Sequence, residues 1–124
     1  MPNINIKVDK LETVVQLSAK IPEFHNPHQL DEYRKRLTNV PSIVLVAYVE
    51  EVPAGFKVGY EKDGYFYSWM GAILPKYRRL GLATKLAEKQ EEWATIQGYP
   101  HVTFKTRNGL KSMLIFALNR GFNI

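Results

Sequence analysis

Residues 75–84 read Pro75-Lys76-Tyr77-Arg78-Arg79-Leu80-Gly81-Leu82-Ala83-Thr84, a basic turn between an apolar run and an amphipathic one. If the second run is helical, this arrangement can hold a phosphorylated ligand. The first N–H groups of a helix have no partner inside it, and the helix dipole makes that end positive. A pyrophosphate placed there receives several hydrogen bonds at once. Gly81 lacks a Cβ and lets the backbone approach a ligand closely, and Ala83 adds little bulk. Arg78 and Arg79 bring fixed charge on planar donors suited to phosphate. By itself Arg-x-x-Gly-x-Ala is a short pattern that arises often by chance, and its value depends on the elements around it.

Other candidates are more dispersed. Tyr67 and Trp69 share one face of an aromatic strand, with Ser68 on the other. Tyr67 is the candidate to hold a water or contact a substrate, against the commoner fate of a packed aromatic. Glu50, Glu51 and Glu61 lie at strand ends, where solvated surface is the simpler reading. His25 and His28 fall in a loop and titrate near neutrality, whereas His101 has no visible partner and is given no role. The histidines have no ligand spacing with nearby carboxylates, so no metal is expected.

The elements that must position these residues follow from periodicity. Ile4, Ile6 and Val8 alternate as a strand; Leu11, Val14, Val15 and Ser18, then Leu30, Tyr33 and Leu37, recur at helical spacing. The second helix opens with Asp31 and Glu32 and closes with Arg34, Lys35 and Arg36, an order that complements the helix dipole. Ile43 to Val49 is an unbroken apolar run, expected as a strand covered on both faces. Pro53-Ala54-Gly55 is expected as a turn before a strand over 56–60, and Lys62-Asp63-Gly64 as a turn before a strand over 65–74. After the basic turn, Leu82, Leu86 and Trp93 share a helix face with Ala83, Ala87 and Ala94, and Gly98 and Pro100 end that helix. His101 to Thr106 is expected as a strand, Leu110 to Ala117 as a helix, and Phe122-Asn123-Ile124 as the start of a further strand. The order is β-α-α-β-β-β-α-β-α-β: a mixed α/β fold with a central, mostly antiparallel sheet and one parallel β-α-β unit over 65–106.

Length and composition are consistent with this. The 124 residues fit one domain, 1–124, able to bury a core without staples. Cysteine is absent, which excludes disulfides, thiolate metal sites and a cysteine nucleophile. No apolar run approaches membrane-spanning length, and Met1-Pro2-Asn3-Ile4-Asn5 lacks the pattern of a signal peptide, so a cytoplasmic protein without a membrane partner is expected. Seventeen Lys and Arg against twelve Asp and Glu give a net charge of +5. A basic balance suits polyanions. Nucleic acid is nevertheless an unlikely partner, because most aromatics fall on apolar faces of strands and helices rather than as exposed stacking platforms.

The element order, with a basic Gly-containing turn after the fourth strand, resembles the GNAT superfamily of acetyltransferases. The stretch from Ser68 to Ala83 looks like the family's fourth strand and cofactor loop; Gly98-Tyr99, Thr106, Asn108, Met113-Leu114 and Gly121-Phe122 follow at the spacing of its C-terminal half. The similarity is strong over 65–124 and looser over 1–64. It implies acetyl-CoA as co-substrate, with Arg78, Arg79, Leu80, Gly81, Leu82, Ala83 and Thr84 around its pyrophosphate. Ile73 would meet the pantetheine arm through its backbone. Asn108 matches a position on the pantetheine side, although a helix N-cap is an equal reading. Two departures stand out. The family's usual tyrosine acid, four residues before the glycine of Gly-Phe, is Ala117 here. The family's C-terminal hairpin is expected to be shortened, with a partner copy in a homodimer as one way to complete the sheet. The resemblance implies N-acetyl transfer to a primary amine of a small molecule or peptide. A non-catalytic acyl-CoA-binding or regulatory protein of the same fold is the alternative.

Overall fold

A computed structural model describes residues 2–100 and 102–104. The patterns resolve into β1 (Ile4–Val8), α1 (Leu11–Ser18), α2 (Leu30–Leu37), β2 (Ser42–Val49), β3 (Val52–Lys62), β4 (Tyr65–Ile73), a single 3-10 turn (Pro75–Tyr77), α3 (Leu82–Ile96) and β5 (Val102–Phe104). The helix and strand expected after β5, with Thr106, Asn108, Ala117 and Gly121, lie outside the described residues, as does His101.

The five strands form one sheet in chain order. The first three pairings are antiparallel and β4 runs parallel to β5. Helix α3 supplies the crossover between the parallel pair, as a β-α-β unit requires.

The run over β2 is apolar throughout because both faces of the sheet are covered. Ile43, Leu45, Ala47 and Val49 join Phe66, Val102 and α3 residues Leu82, Leu86 and Ala94 in one layer. Val46 faces the other way, with Phe56 and Val58 of β3, Val14 and Leu17 of α1 and Tyr33 of α2. Burial of each such large apolar side chain contributes about 1.5–3 kcal/mol. Tyr33 is fully buried, and its hydroxyl lies 3.3 Å from that of Ser18. That contact ties the two short helices together where a polar group would otherwise be stranded.

The turn expected at Pro53-Ala54-Gly55 is displaced. Val49 pairs with Val52, so the β2–β3 turn is Glu50-Glu51 alone, with φ of 50° and 68°. Two-residue hairpins favour such left-handed pairs because they match the strand twist, though glutamate takes that conformation rarely. The turn is anchored to β1: Glu50 donates its amide to the Asn3 carbonyl at 2.9 Å, and Asn3 N–H donates to the Glu50 carboxylate at 2.8 Å. Pro53-Ala54-Gly55 lies inside β3, where the register slips by one residue, a bulge that tolerates proline. Gly55 is needed for space: a Cβ there would sit 2.5 Å from Ile73 Cδ1 and 2.9 Å from the Ala72 carbonyl oxygen.

One expectation for α3 also changes. Its buried face is Leu82, Leu86, Ala87, Gln90 and Ala94, whereas Ala83 is exposed. Gln90 is a buried polar residue that apolar periodicity passes over.

Candidate active site

A second slip of register lies in β4. Val58 pairs with Met70 and Gly59 with Ser68, leaving Trp69 as the extra residue. Trp69 and Met70 consequently pack on the same face, toward α1 and α2. A bulge bends its strand and raises the local twist. Among the described residues, β5 pairs with β4 only at Phe66, Tyr67 and Ser68. Beyond the bulge β4 runs on to Ile73 without that partner.

The backbone groups there that do not face β3 have a definite direction. Leu74 N–H donates to the Ala54 carbonyl at 2.8 Å. Successive residues of a strand point their peptide groups to opposite sides, so Ile73 and Gly71 present N–H and C=O away from β3. A cleft of about 270 Å³ lies beside this segment, lined by Ser68, Gly71, Ile73 and Lys57 of the sheet and by Ala83 and Leu86 of α3. Ala83, expected in the helix's apolar stripe, instead forms the mouth of this cleft.

At the mouth stands the basic turn. Arg79 has φ 71° and Gly81 has φ 78°. Gly81 caps α3, and the first intrahelical bond runs from Lys85 N–H to the Gly81 carbonyl at 3.1 Å. The amides of Leu82, Ala83 and Thr84 precede it and have no carbonyl of their own helix to reach. Among the described residues, beyond its two chain neighbours, a Cβ on Gly81 would meet no atom within 4 Å. The glycine is therefore required by its left-handed backbone, and the space above it is open to a ligand. Leu80 is exposed beside it. Arg79 is exposed, whereas Arg78 is engaged. Its Nε donates to the Ile73 carbonyl at 3.0 Å, and its two terminal nitrogens donate to the two carboxylate oxygens of Glu23 at 2.9 Å each. That guanidinium holds the Glu23 carboxyl below the usual carboxylate range.

On the opposite face, Trp69 sits in a cluster of rings. Its centroid is 5.0 Å from Tyr33, 5.2 Å from His28 and 5.7 Å from Tyr60, and the Arg36 guanidinium lies 4.6 Å above it. Arg36 is fixed in turn by Glu32 at 2.8 Å and by the Tyr60 hydroxyl at 3.3 Å. Tyr67 lies beside this cluster and does not line the cleft. It is 9% exposed, stacked edge-on to Tyr60, with the Lys62 ammonium 5.2 Å over its ring. Burial, then the neighbouring Tyr60, pushes its phenol up from the usual value, so the group is neutral at ordinary pH. His28 belongs to the ring cluster, whereas His25 is exposed. Glu61 accepts a 2.7 Å hydrogen bond from Tyr99.

Of the residues singled out in the sequence, Ile73 and Ala83 line the cleft, the rest of 78–84 adjoins Ala83 in the turn and the first turn of α3, and Tyr67 is not part of the lining. Asn108 lies outside the described residues. Sequence reading passed over Glu23 and Lys57. Glu23 is an isolated acid after Pro22 and carries no local signal. Lys57 reads as the solvent side of an alternating strand; only α3 and β4 make that side a cleft. No group of three or more His, Asp or Glu among the described residues could hold a metal, and no described helix is long and apolar enough to cross a membrane.

Solved structures share this architecture. The ribosomal-protein-S18-alanine N-acetyltransferase of Escherichia coli superposes with a TM-score of 0.76 at 14% identity, over 98% of this chain and 78% of that one. The aminoglycoside antibiotic 6'-N-acetyltransferase of Acinetobacter baumannii does so with 0.69 at 18% identity, over 98% and 92%. The paia N-acetyltransferase of Thermoplasma acidophilum, solved in complex with coenzyme A, gives 0.69 at 13% identity, over 98% and 91%. At these identities the likeness is one of fold. No curated protein matches the sequence. The model of the "Acetyltransferase (GNAT) family" matches residues 11–122, nearly the whole chain and every element of the cleft, and the chain therefore belongs to the GNAT family of acetyltransferases.

Proposed function

We propose that this chain works as a single domain that transfers an acetyl group from acetyl-CoA to a primary amine of a small molecule or peptide. One observation carries the reading: the uncapped amides of α3 stand at the mouth of a cleft walled by a stretch of β4 that, among the described residues, has no strand partner on the side away from β3. Pyrophosphate on residues 79–84 puts its charge at the positive helix end. From there the slot runs from Ile73 to Ser68, about 17 Å at roughly 3.3 Å per residue, room for an extended pantetheine arm.

The outward peptide groups of Gly71 and the Ile73 N–H can pair with that arm, and an N–H among them can polarise a thioester carbonyl, which stabilises the charge that develops on oxygen. The acceptor nitrogen attacks the carbonyl carbon after losing its proton to a base, directly or through water. Tyr67, held neutral by burial, offers a hydroxyl to hold such a water. The rings of Trp69, His28 and Tyr60 give an apolar wall on the acceptor side. Two fold relatives bear names specifying a protein alanine and an aminoglycoside as acceptors, which supports an amine and leaves its size open.

The test is release of free CoA from acetyl-CoA across a panel of amines, followed by mass detection of the acetylated product. Product that requires both reactants supports the transferase reading. Tight acetyl-CoA binding with no product from peptide, polyamine or aminoglycoside amines would instead indicate a non-catalytic acyl-CoA-binding role.

A further inference from the structure

A second pocket, of about 290 Å³, lies on the α1 side of the sheet, walled by α1, by the start of β3 and by the segment that follows β4. Leu74 packs with the layer under α1 and Tyr77 with the layer under α3. The chain between them crosses the end of the sheet and leaves a wedge beside α1. This pocket shares no lining residue with the cleft.

Its floor is apolar and its rim is cationic. Leu17 is 2% exposed, and Pro53, Leu74 and Tyr77 are half-buried around it. Lys20 and Lys76 also line the pocket and are exposed at its edge. The Lys76 ammonium lies 5.6 Å over the Tyr77 ring, which keeps it at the pocket wall. Gln16 precedes Lys20 by one turn on the same face of α1 and adds an amide donor. No acid lines the pocket. Glu12 of α1 and Glu23 after it are engaged by Arg34 and Arg78. The last carbonyls of α1 accept the amides of Ala19, Lys20 and Ile21, so the negative end of that helix is not left bare toward an anion.

We propose that this pocket is a binding site for a small carboxylate with a single-ring apolar body. The ring rests on Leu17, Pro53 and Leu74, and the carboxylate faces Lys20 and Lys76. The volume stands at the low end of ligand cavities, about 300–1,000 Å³, which suits one ring with a short acidic chain. A lysine ammonium is a point charge on a flexible stem, so both can follow the carboxylate without a fixed geometry.

The experiment uses phenylpropionate as probe, with phenylpropanol as the same body without the charge. Amide shifts of the full chain are followed by NMR at low salt, where exposed cations are least screened. Phenylpropionate should saturate with a Kd of about 1 mM, the scale open to so small a ligand. Phenylpropanol should bind about tenfold more weakly for want of a charge-assisted contact. Lys20→Met and Lys76→Met should each weaken the acid about threefold, as exposed charges do, and leave the alcohol unaffected. Lys20→Arg should retain the acid. An unchanged melting temperature shows that each variant is folded. No saturable shift with phenylpropionate, or equal affinities for acid and alcohol, would overturn the proposal. Undiminished binding of the acid by the double variant Lys20→Met, Lys76→Met would overturn it too, by placing the carboxylate elsewhere on the chain.

Discussion

Arg78 and Glu23 face each other guanidinium to carboxylate through two hydrogen bonds of 2.9 Å, although 55 residues separate them in the chain. The same guanidinium holds the Ile73 carbonyl. One side chain thus joins the loop after α1, the end of β4 and the basic turn at the mouth of the cleft. Arriving pyrophosphate would compete with Glu23 for the terminal nitrogens of Arg78. Glu23→Gln should therefore tighten acetyl-CoA binding by about threefold, and Arg78→Ala weaken it by about tenfold, the scale of a charge-assisted pair. Equal dissociation constants in all three proteins would confine Arg78 to holding the loop.

Gly81 tests the turn itself. Its φ of 78° disfavours any side chain, while no atom of the described residues, its chain neighbours aside, lies within 4 Å of where a Cβ would go. Gly81→Val should cost about 1–2 kcal/mol of stability from the left-handed backbone and leave the protein folded. It should abolish the rise in melting temperature that acetyl-CoA produces by binding the native state. A retained ligand shift in a folded variant would refute the placement of pyrophosphate here.

Gly59 is a packing glycine beneath α3. A Cβ on it would lie 2.6 Å from Phe66 Cε2 and 2.7 Å from Gln90 Nε2. Both neighbours are buried, so neither can move aside freely. Gly59→Ala is expected to destabilise by about 1–3 kcal/mol, as overpacking does, read as a lower urea midpoint. A midpoint equal to that of the unaltered chain would show that Gln90 repacks at no cost.

Tyr48 donates a hydrogen bond to the Asp9 carboxylate, which with burial pushes its phenol up to about 12. The ordinary phenol value is about 10. A folded pKa above the unfolded one means the contribution is complete below about pH 10 and is lost as the pH rises through about 12. Stability should fall across that window, and Tyr48→Phe should flatten the fall. Tyr99, hydrogen-bonded to Glu61 and also raised to about 12, titrates in the same window. The double variant Tyr48→Phe, Tyr99→Phe should be flatter than either single one. A slope unchanged by Tyr48→Phe would mean that its hydroxyl bond contributes nothing in solution.

The sequence by itself determined the elements through β5, the antiparallel ladder closing in a parallel pair, and the location of the basic turn before α3. These are local matters: apolar period, helix-end charge, and a glycine followed by a helix. It misplaced the β2–β3 turn, because Pro53-Ala54-Gly55 carries turn chemistry whereas the true turn, Glu50-Glu51, carries none; pairing with β1 and the register of the ladder decide that hairpin. Only the tertiary structure decided the bulge at Trp69, which sends two successive side chains to one face. It also decided the partners of Arg78 and Lys57. In the chain Arg78 reads as a phosphate ligand and Lys57 as an ordinary strand cation, and their neighbours, Glu23 and Gly71, are brought to them by loop closure and strand pairing rather than by any nearby residue.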